Sequence, residues 1–452
     1  MRIMRRLTPV LALGALLLTA LPAHAADAGH AHAGDTGPAR RESYGTKAPY
    51  APGQTHGYQR PPAGFEPVFT ENVSRHGSRS ATGSEDGDLV LTLWDEAEAE
   101  HQLTRDGEGF GPAVRDLQAA MAEVGYGNLS GRGRREMRDT ALRLERRMPS
   151  LFATIADEGE RIDVVSSGQG RAVDSAAEYA DALADADPAL KPLIGPARTD
   201  RDLLYFHKEA AGAAYRDYLA HDQRLRDTLR AVTDQPRTHE AARDVLRRIF
   251  TAAFVDRIDD QVGAARAVYN LYATAPAMSE ESPDGKGWGM ERYVSRSAAD
   301  RFGYLSDAEE FYRKGPGFAD SDITYRMADV LLDDFFRQAE AKRDGTSDLG
   351  AELRFTHAEE IIPLAALMRL PGSTRPADPD RPYRYADNPW RGADVSPLGA
   401  NIQWDLFRKG DRYLVRMLYN EKETAFKAGC RPVAKNSAFY DLDELERCFG
   451  RG

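Results

Sequence analysis

From Phe65 to Val73 the chain alternates as a strand does, with Val68, Thr70 and Val73 branched at Cβ, and it runs directly into Ser74-Arg75-His76-Gly77. The spacing then turns helical, from Leu89 to Trp94 and again from Val114 to Met121. Residues 161–165 predict a second short strand, closed by Ser166-Ser167-Gly168, and a helical pattern restarts near Val173. Residues 186–334 read almost wholly helical. Val245, Ile249 and Ala252 fall at three-to-four spacing, as do Val262, Ala265, Val268, Tyr269 and Tyr272. Strand character returns over 352–356. Two alternating runs, 402–406 and 413–419, joined through Lys409-Gly410-Asp411, then predict an antiparallel hairpin.

Strand, helix, strand, long helical insertion, strand and hairpin is the order of an α/β fold: a central mixed sheet flanked by helices, with a large inserted helical lobe. The α/β domain is assigned to residues 43–85, 131–185 and 335–452, and the helical lobe to 86–130 and 186–334. No internal repeat recurs at a period of about 20–50 residues.

Arg2, Arg5 and Arg6 precede an apolar run from Val10 to Leu21, and Ala23-His24-Ala25 follows as a small-x-small cleavage signature. Residues 1–25 therefore predict a signal peptide and a secreted or periplasmic protein with no membrane span after cleavage. Residues 26–42, rich in Ala, Gly, Asp and His, predict a flexible linker, and its His30 and His32 read as solvated. The chain has 452 residues, and losing the leader takes three arginines and no acid, so net charge falls from −11 to −14. That balance excludes a dedicated nucleic-acid binder. Cys430 and Cys448 are the only cysteines; in an oxidising compartment they can pair, and they exclude a cysteine-based zinc site.

Three motifs sit at predicted strand ends. In Arg75-His76-Gly77-Ser78-Arg79, two guanidiniums flank one imidazole and lower its pKa, as phosphoryl transfer to a neutral nitrogen requires. Gly77 lets the backbone approach an anion. Ser166-Ser167-Gly168-Gln169-Gly170-Arg171 lies where open α/β sheets bind ligands, and Arg171 adds a third guanidinium. In Phe355-Thr356-His357-Ala358-Glu359, an imidazole and a carboxyl two residues apart face one crevice, as oxyanion donor and general acid. A metal reading of His357 with Glu360 lacks a second helical histidine and a third ligand.

Together these motifs resemble the histidine acid phosphatases, the branch of the histidine phosphatase superfamily that includes phytases. Arg75 to Arg79 matches that family's RHGxR, followed by Thr82 as in the longer RHGxRxPT form, with Ala81 in place of the usual proline. His357-Ala358-Glu359 stands where the family has HD, and HAE marks the multiple inositol polyphosphate phosphatase subgroup. Tyr44-Gly45-Thr46-Lys47, Leu203-Leu204-Tyr205-Phe206, Tyr304-Leu305 through Gly315-Pro316-Gly317, and 414–421 also resemble that subgroup, so the likeness runs from about residue 43 to 450. Most of the subgroup's additional cysteines are absent.

The resemblance implies an exported phosphomonoesterase acting on inositol polyphosphates, phytate among them, through a phosphohistidine. His76 is the implied nucleophile and Glu359 the proton donor. Arg75, Arg79, Arg171, His357 and Thr82 are the implied phosphate contacts, and no metal or cofactor is implied. The partner is then a small phosphomonoester. Lys208 is a candidate lining residue from the helical lobe. A broad acid or sugar phosphatase on the same scaffold, or a non-catalytic binder of phosphorylated polyols, are the alternatives. The acidic net charge does not oppose a polyanionic substrate, because salt screens diffuse charge beyond roughly 8–10 Å.

Overall fold

The computed structural model describes residues 41–378 and 380–451. The predicted leader, the His30–His32 pair and all but the last two residues of the predicted linker fall outside them. Eight strands form one sheet: β1 Glu66–Arg75, β2 Arg161–Ser166, β3 Arg198–Thr199, β4 Leu349–Thr356, β5 Asn401–Lys409, β6 Arg412–Tyr419, β7 Lys422–Glu423 and β8 Phe439–Asp441. Their order is β3-β2-β4-β1-β5-β6-β7, with β8 also on β6. The β3, β2, β4 and β1 strands are mutually parallel, whereas β5 to β8 pair antiparallel. The mixed α/β sheet read from the sequence is the one observed, and β5–β6 is the predicted hairpin, turning at Gly410 with φ 59°.

The helices that matter below are α1 Glu85–Ala99, α2 Phe110–Val124, α3 Gly131–Arg147, α4 Gly170–Ala186, α5 Pro236–Ile249, α6 Gln261–Thr274, α7 Arg296–Arg313, α8 Asp329–Arg343 and α9 Ala358–Leu367. The helical segments share their core with the sheet, since Val73 and Trp404 belong to one apolar cluster with Trp94, Val245, Tyr269 and Phe302. β3 lies inside the stretch read as helical. It has only two residues, too few for alternation to register. Cys430 and Cys448 form a disulfide near the C-terminus.

All eight residues of β4 are buried, although Glu352, Arg354 and Thr356 are polar. One face, Ala351, Leu353 and Phe355, packs on Ile162, Val164 and Tyr179. The other carries Arg354, which is fully buried and contacts Glu71 at 2.9 Å, Asp334 at 2.6 Å and Glu352 at 3.2 Å. Asp334 comes from α8, whose Phe335 also lies 4.6 Å from the guanidinium. A buried charge persists only when it is paired, and here one cation serves three acids. Arg354→Met should therefore lower stability at neutral pH by about 3–5 kcal/mol, because it strands Glu71 and leaves Asp334 and Glu352 only their more exposed partners Arg337 and Arg198. Part of the loss should return as pH falls and the carboxylates take up protons. Urea unfolding at two pH values measures this, and a loss below about 1 kcal/mol would mean that the cluster is no more than a surface-like pair.

Candidate active site

β1, β4 and β2 are adjacent and parallel, and they end together, with Arg75 opposite Thr356 and Phe355 opposite Ser166. The three motifs therefore leave the sheet side by side at its carboxyl edge, where open α/β sheets bind ligands. His76 continues the ladder by donating its N–H to the Thr356 carbonyl at 2.9 Å. Its ring lies 5.4 Å from that of His357, centroid to centroid. The turn after His76 is fixed by contact between two glycines. A Cβ on Gly77 would come within 2.5 Å of the Gly133 carbonyl oxygen on α3, and one on Gly133 within 2.0 Å of the Ser78 carbonyl oxygen. The Gly77 N–H donates to Ser175 Oγ of α4 at 3.2 Å, and Glu136 accepts both N–H and Oγ–H of Ser78.

His76 is buried, and its Nδ1 lies 2.9 Å from the Gly77 carbonyl oxygen. A carbonyl can only accept, so Nδ1 carries the hydrogen and Nε2 keeps its lone pair. Burial first, and then Arg75, His357, Arg79 and Arg171, hold the His76 pKa well below its ordinary value. Desolvation is thus a larger cause than the arginines that flank His76 in the sequence. Burial and Arg171 likewise lower His357 to about 3. His357 Nε2 meets Ser167 Oγ at 2.8 Å, and its Nδ1 is buried with no hydrogen-bond partner.

Arg75 Nη1 donates to two main-chain carbonyls, Thr46 and Ser396, both at 2.6 Å. The Tyr44–Lys47 segment thus holds a guanidinium without cancelling its charge. Arg79 Nη1 donates to the Ser80 carbonyl at 2.6 Å, and Arg171 stands in the first turn of α4, whose N-terminus favours an anion. Burial lowers Arg75 to about 10 and Arg79 to about 9, each further depressed by Arg171. The Ser80 N–H donates to the Asn128 carbonyl and its Oγ–H to that of Gly125, and Thr82 follows in an exposed bend before α1.

Arg171, His357 and Glu359 line a cavity of about 300 Å³ together with Lys208, Arg313 and Lys314. Lys314 bridges Glu310 at 2.9 Å and Glu359 at 3.0 Å. Burial opposes ionisation of Glu359, but Lys314 and His207 outweigh it and hold the carboxyl well below the usual range. The site thus holds the residue expected to donate a proton in its ionised form. Its neighbour Glu360 turns the other way, accepting from Thr356 Oγ1 at 2.8 Å and meeting His207 Nδ1 at 2.6 Å.

The profile of the histidine phosphatase superfamily (branch 2) matches residues 69–420. The chain belongs to that superfamily. This histidine phosphatase is 24% identical over 409 residues to a multiple inositol polyphosphate phosphatase 1 of Gallus gallus, covering 86% of this chain and 84% of the relative. Its fold matches the Bifidobacterium longum multiple inositol polyphosphate phosphatase in complex with inositol hexasulfate, with a TM-score of 0.84 and 29% identity over 90% of this chain and 97% of the other. The D. castellii phytase shares the fold alone, with a TM-score of 0.59 and 14% identity over 91% and 85% of the two chains.

Two side chains of this histidine phosphatase that contact Glu359 and Glu360 were not singled out in the sequence. Lys314 lies inside the Tyr304 to Gly317 stretch, noted only for its likeness to the subgroup, and His207 lies beside the candidate Lys208. Nothing in helical periodicity says which of such residues faces a cleft. Lys314 makes a sharp prediction, because removing its charge raises the proton affinity of Glu359. If a protonated Glu359 is needed in the free enzyme, the alkaline limb of kcat/KM for an alkyl phosphate should move to higher pH in Lys314→Met, on the order of one unit. An unmoved limb with a raised KM would make Lys314 a substrate contact only.

Proposed function

We propose that the protein hydrolyses inositol polyphosphates, phytate among them, by two displacements through a phosphohistidine on His76. The observation that carries this reading is an unprotonated, inward-held His76 Nε2 among Arg75, Arg79 and Arg171. The neighbouring cavity, which Arg171 and His357 line together with Lys208, Arg313 and Lys314, suits a substrate bearing further phosphates beyond the one transferred. The relatives named for inositol polyphosphates, one of them in complex with inositol hexasulfate, point to the same substrate class.

In the first displacement the His76 Nε2 lone pair forms the N–P bond as the ester O–P bond breaks. The guanidiniums and His357 take up charge on the non-bridging oxygens, and the leaving oxygen receives a proton from Glu359. Glu359 must first gain that proton. A bound polyphosphate competes with it for Lys314 and brings negative charge close by, and both effects raise the carboxyl's proton affinity. In the second displacement water oxygen attacks phosphorus, the N–P bond breaks, and the ionised Glu359 takes the water proton. We further infer an oxidising compartment outside the cytoplasm, from the residue 1–25 pattern and the Cys430–Cys448 disulfide.

Phosphate release by wild type and Glu359→Gln tests the reading. An inositol alkoxide needs a proton and a nitrophenolate does not, and positioned acid catalysis contributes about 10²–10⁴-fold. Glu359→Gln should lose most of that factor on phytate and far less on p-nitrophenyl phosphate. Equal, modest slowing with a lower Tm would make Glu359 a helix-end residue of α9, and wild type inert on phytate would remove the substrate assignment.

A further inference from the structure

Away from the active centre, buried arginines other than Arg301 meet carboxylates: Arg354 has three, and Arg416 has Asp405 at 2.8 Å. Arg301 on α7 does not, although it is only 7% exposed. Its Nε donates to Thr238 Oγ1 at 3.0 Å, and its Nη2 to the Val232 carbonyl, Thr238 Oγ1 and Gln235 Oε1 at 2.7, 2.6 and 3.3 Å. All of these acceptors are neutral, and Nη1 is buried with no hydrogen bond at all.

A second cation stands beside it. Arg237 donates its Nε to the same Gln235 Oε1 at 2.8 Å, and among the described residues neither guanidinium has a carboxylate within ion-pair distance. Both lie over the ring of Tyr304, at 5.1 Å for Arg301 and 5.5 Å for Arg237. The two arginines and Tyr304 line a cavity of about 810 Å³, larger than the one at the active centre and sharing no lining residue with it. Two of the three acids on its wall have other partners. Asp300 accepts from Ser43 at 2.6 Å, Asp244 accepts from Ser295 and lies 3.7 Å from Arg248, and Glu240 is exposed. The wall's third arginine, Arg384, is paired with Asp387 at 2.6 Å.

Two like charges held together, one of them buried, lack the counter-ion that such an arrangement ordinarily requires. Planar guanidinium forks with unused N–H groups match a tetrahedral oxyanion. We propose that this cavity is a second anion site, separate from the active centre, that takes a phosphate dianion either free or as a phosphomonoester. Gln235 sets the spacing of the pair, and Thr238 and Val232 anchor the Arg301 fork.

Equilibrium binding of labelled inorganic phosphate to the full chain tests this. Two sites per chain are expected in wild type. In Arg237→Gln, an exposed change that leaves the fold alone, the second site should weaken roughly tenfold or more, with p-nitrophenyl phosphate turnover unchanged. Arg301→Lys, which keeps the charge and loses the fork, should weaken the same site. Titrating phytate into His76→Ala separates the sources: two equivalents mean that the site takes esters, and one means that it takes free phosphate alone. A weakened second site in either arginine variant supports the proposal. A single phosphate site in wild type, or a second site that neither variant changes, would overturn it.

Discussion

The active centre depends on arginine charge that main-chain carbonyls fix in place without cancelling it. Arg75 and Arg354 stand on neighbouring strands, and both are buried. Arg354 is surrounded by Glu71, Asp334 and Glu352 and serves the interior of the sheet. Arg75 is held by the Thr46 and Ser396 carbonyls, which orient a guanidinium yet leave its full charge for a ligand. The same field, on top of burial, keeps His76 neutral. A site built this way has its electrostatic work done before substrate arrives, which is the form in which charge stabilisation assists phosphoryl transfer.

In the proposed mechanism the sheet edge supplies the nucleophile and the clamps, and the segments around His207 and Lys314 supply what tunes the proton. Flush ends of β1, β4 and β2 bring His76, His357 and Arg171 to one edge, and Lys314 and His207 reach Glu359 and Glu360. Adjacent glutamates on one helix end are thereby given different partners. The diffuse acidic charge of the chain has little bearing on this cluster, because low-dielectric contacts at short range outweigh charge that salt screens.

What could be read in the chain were the features with a local cause. The hairpin declares itself by alternation around Gly410, and the three motifs by polar residues at the ends of branched runs. β4 was only half visible, because Glu352 and Arg354 look exposed until α8 and β1 are known to supply their partners. β3, β7 and β8 span two or three residues and carry no period. Thr82 was read only by likeness to a longer motif; it follows Ser80, which the 125–128 loop holds, and is exposed. Arg237 and Arg301 stand on helices, and His207 and Lys314 in turns just past helix ends, where the side turned to a cavity is decided by tertiary packing.

The central claim is that His76 Nε2 becomes bonded to phosphorus. Acid-labile label trapped by rapid quench during turnover of a labelled phosphomonoester, followed by mapping of the labelled peptide, tests it most directly. The account predicts stoichiometric label on His76 that is absent from His76→Ala, with turnover lost in that variant. Steady turnover with no trappable species, together with an active His76→Ala, would contradict it.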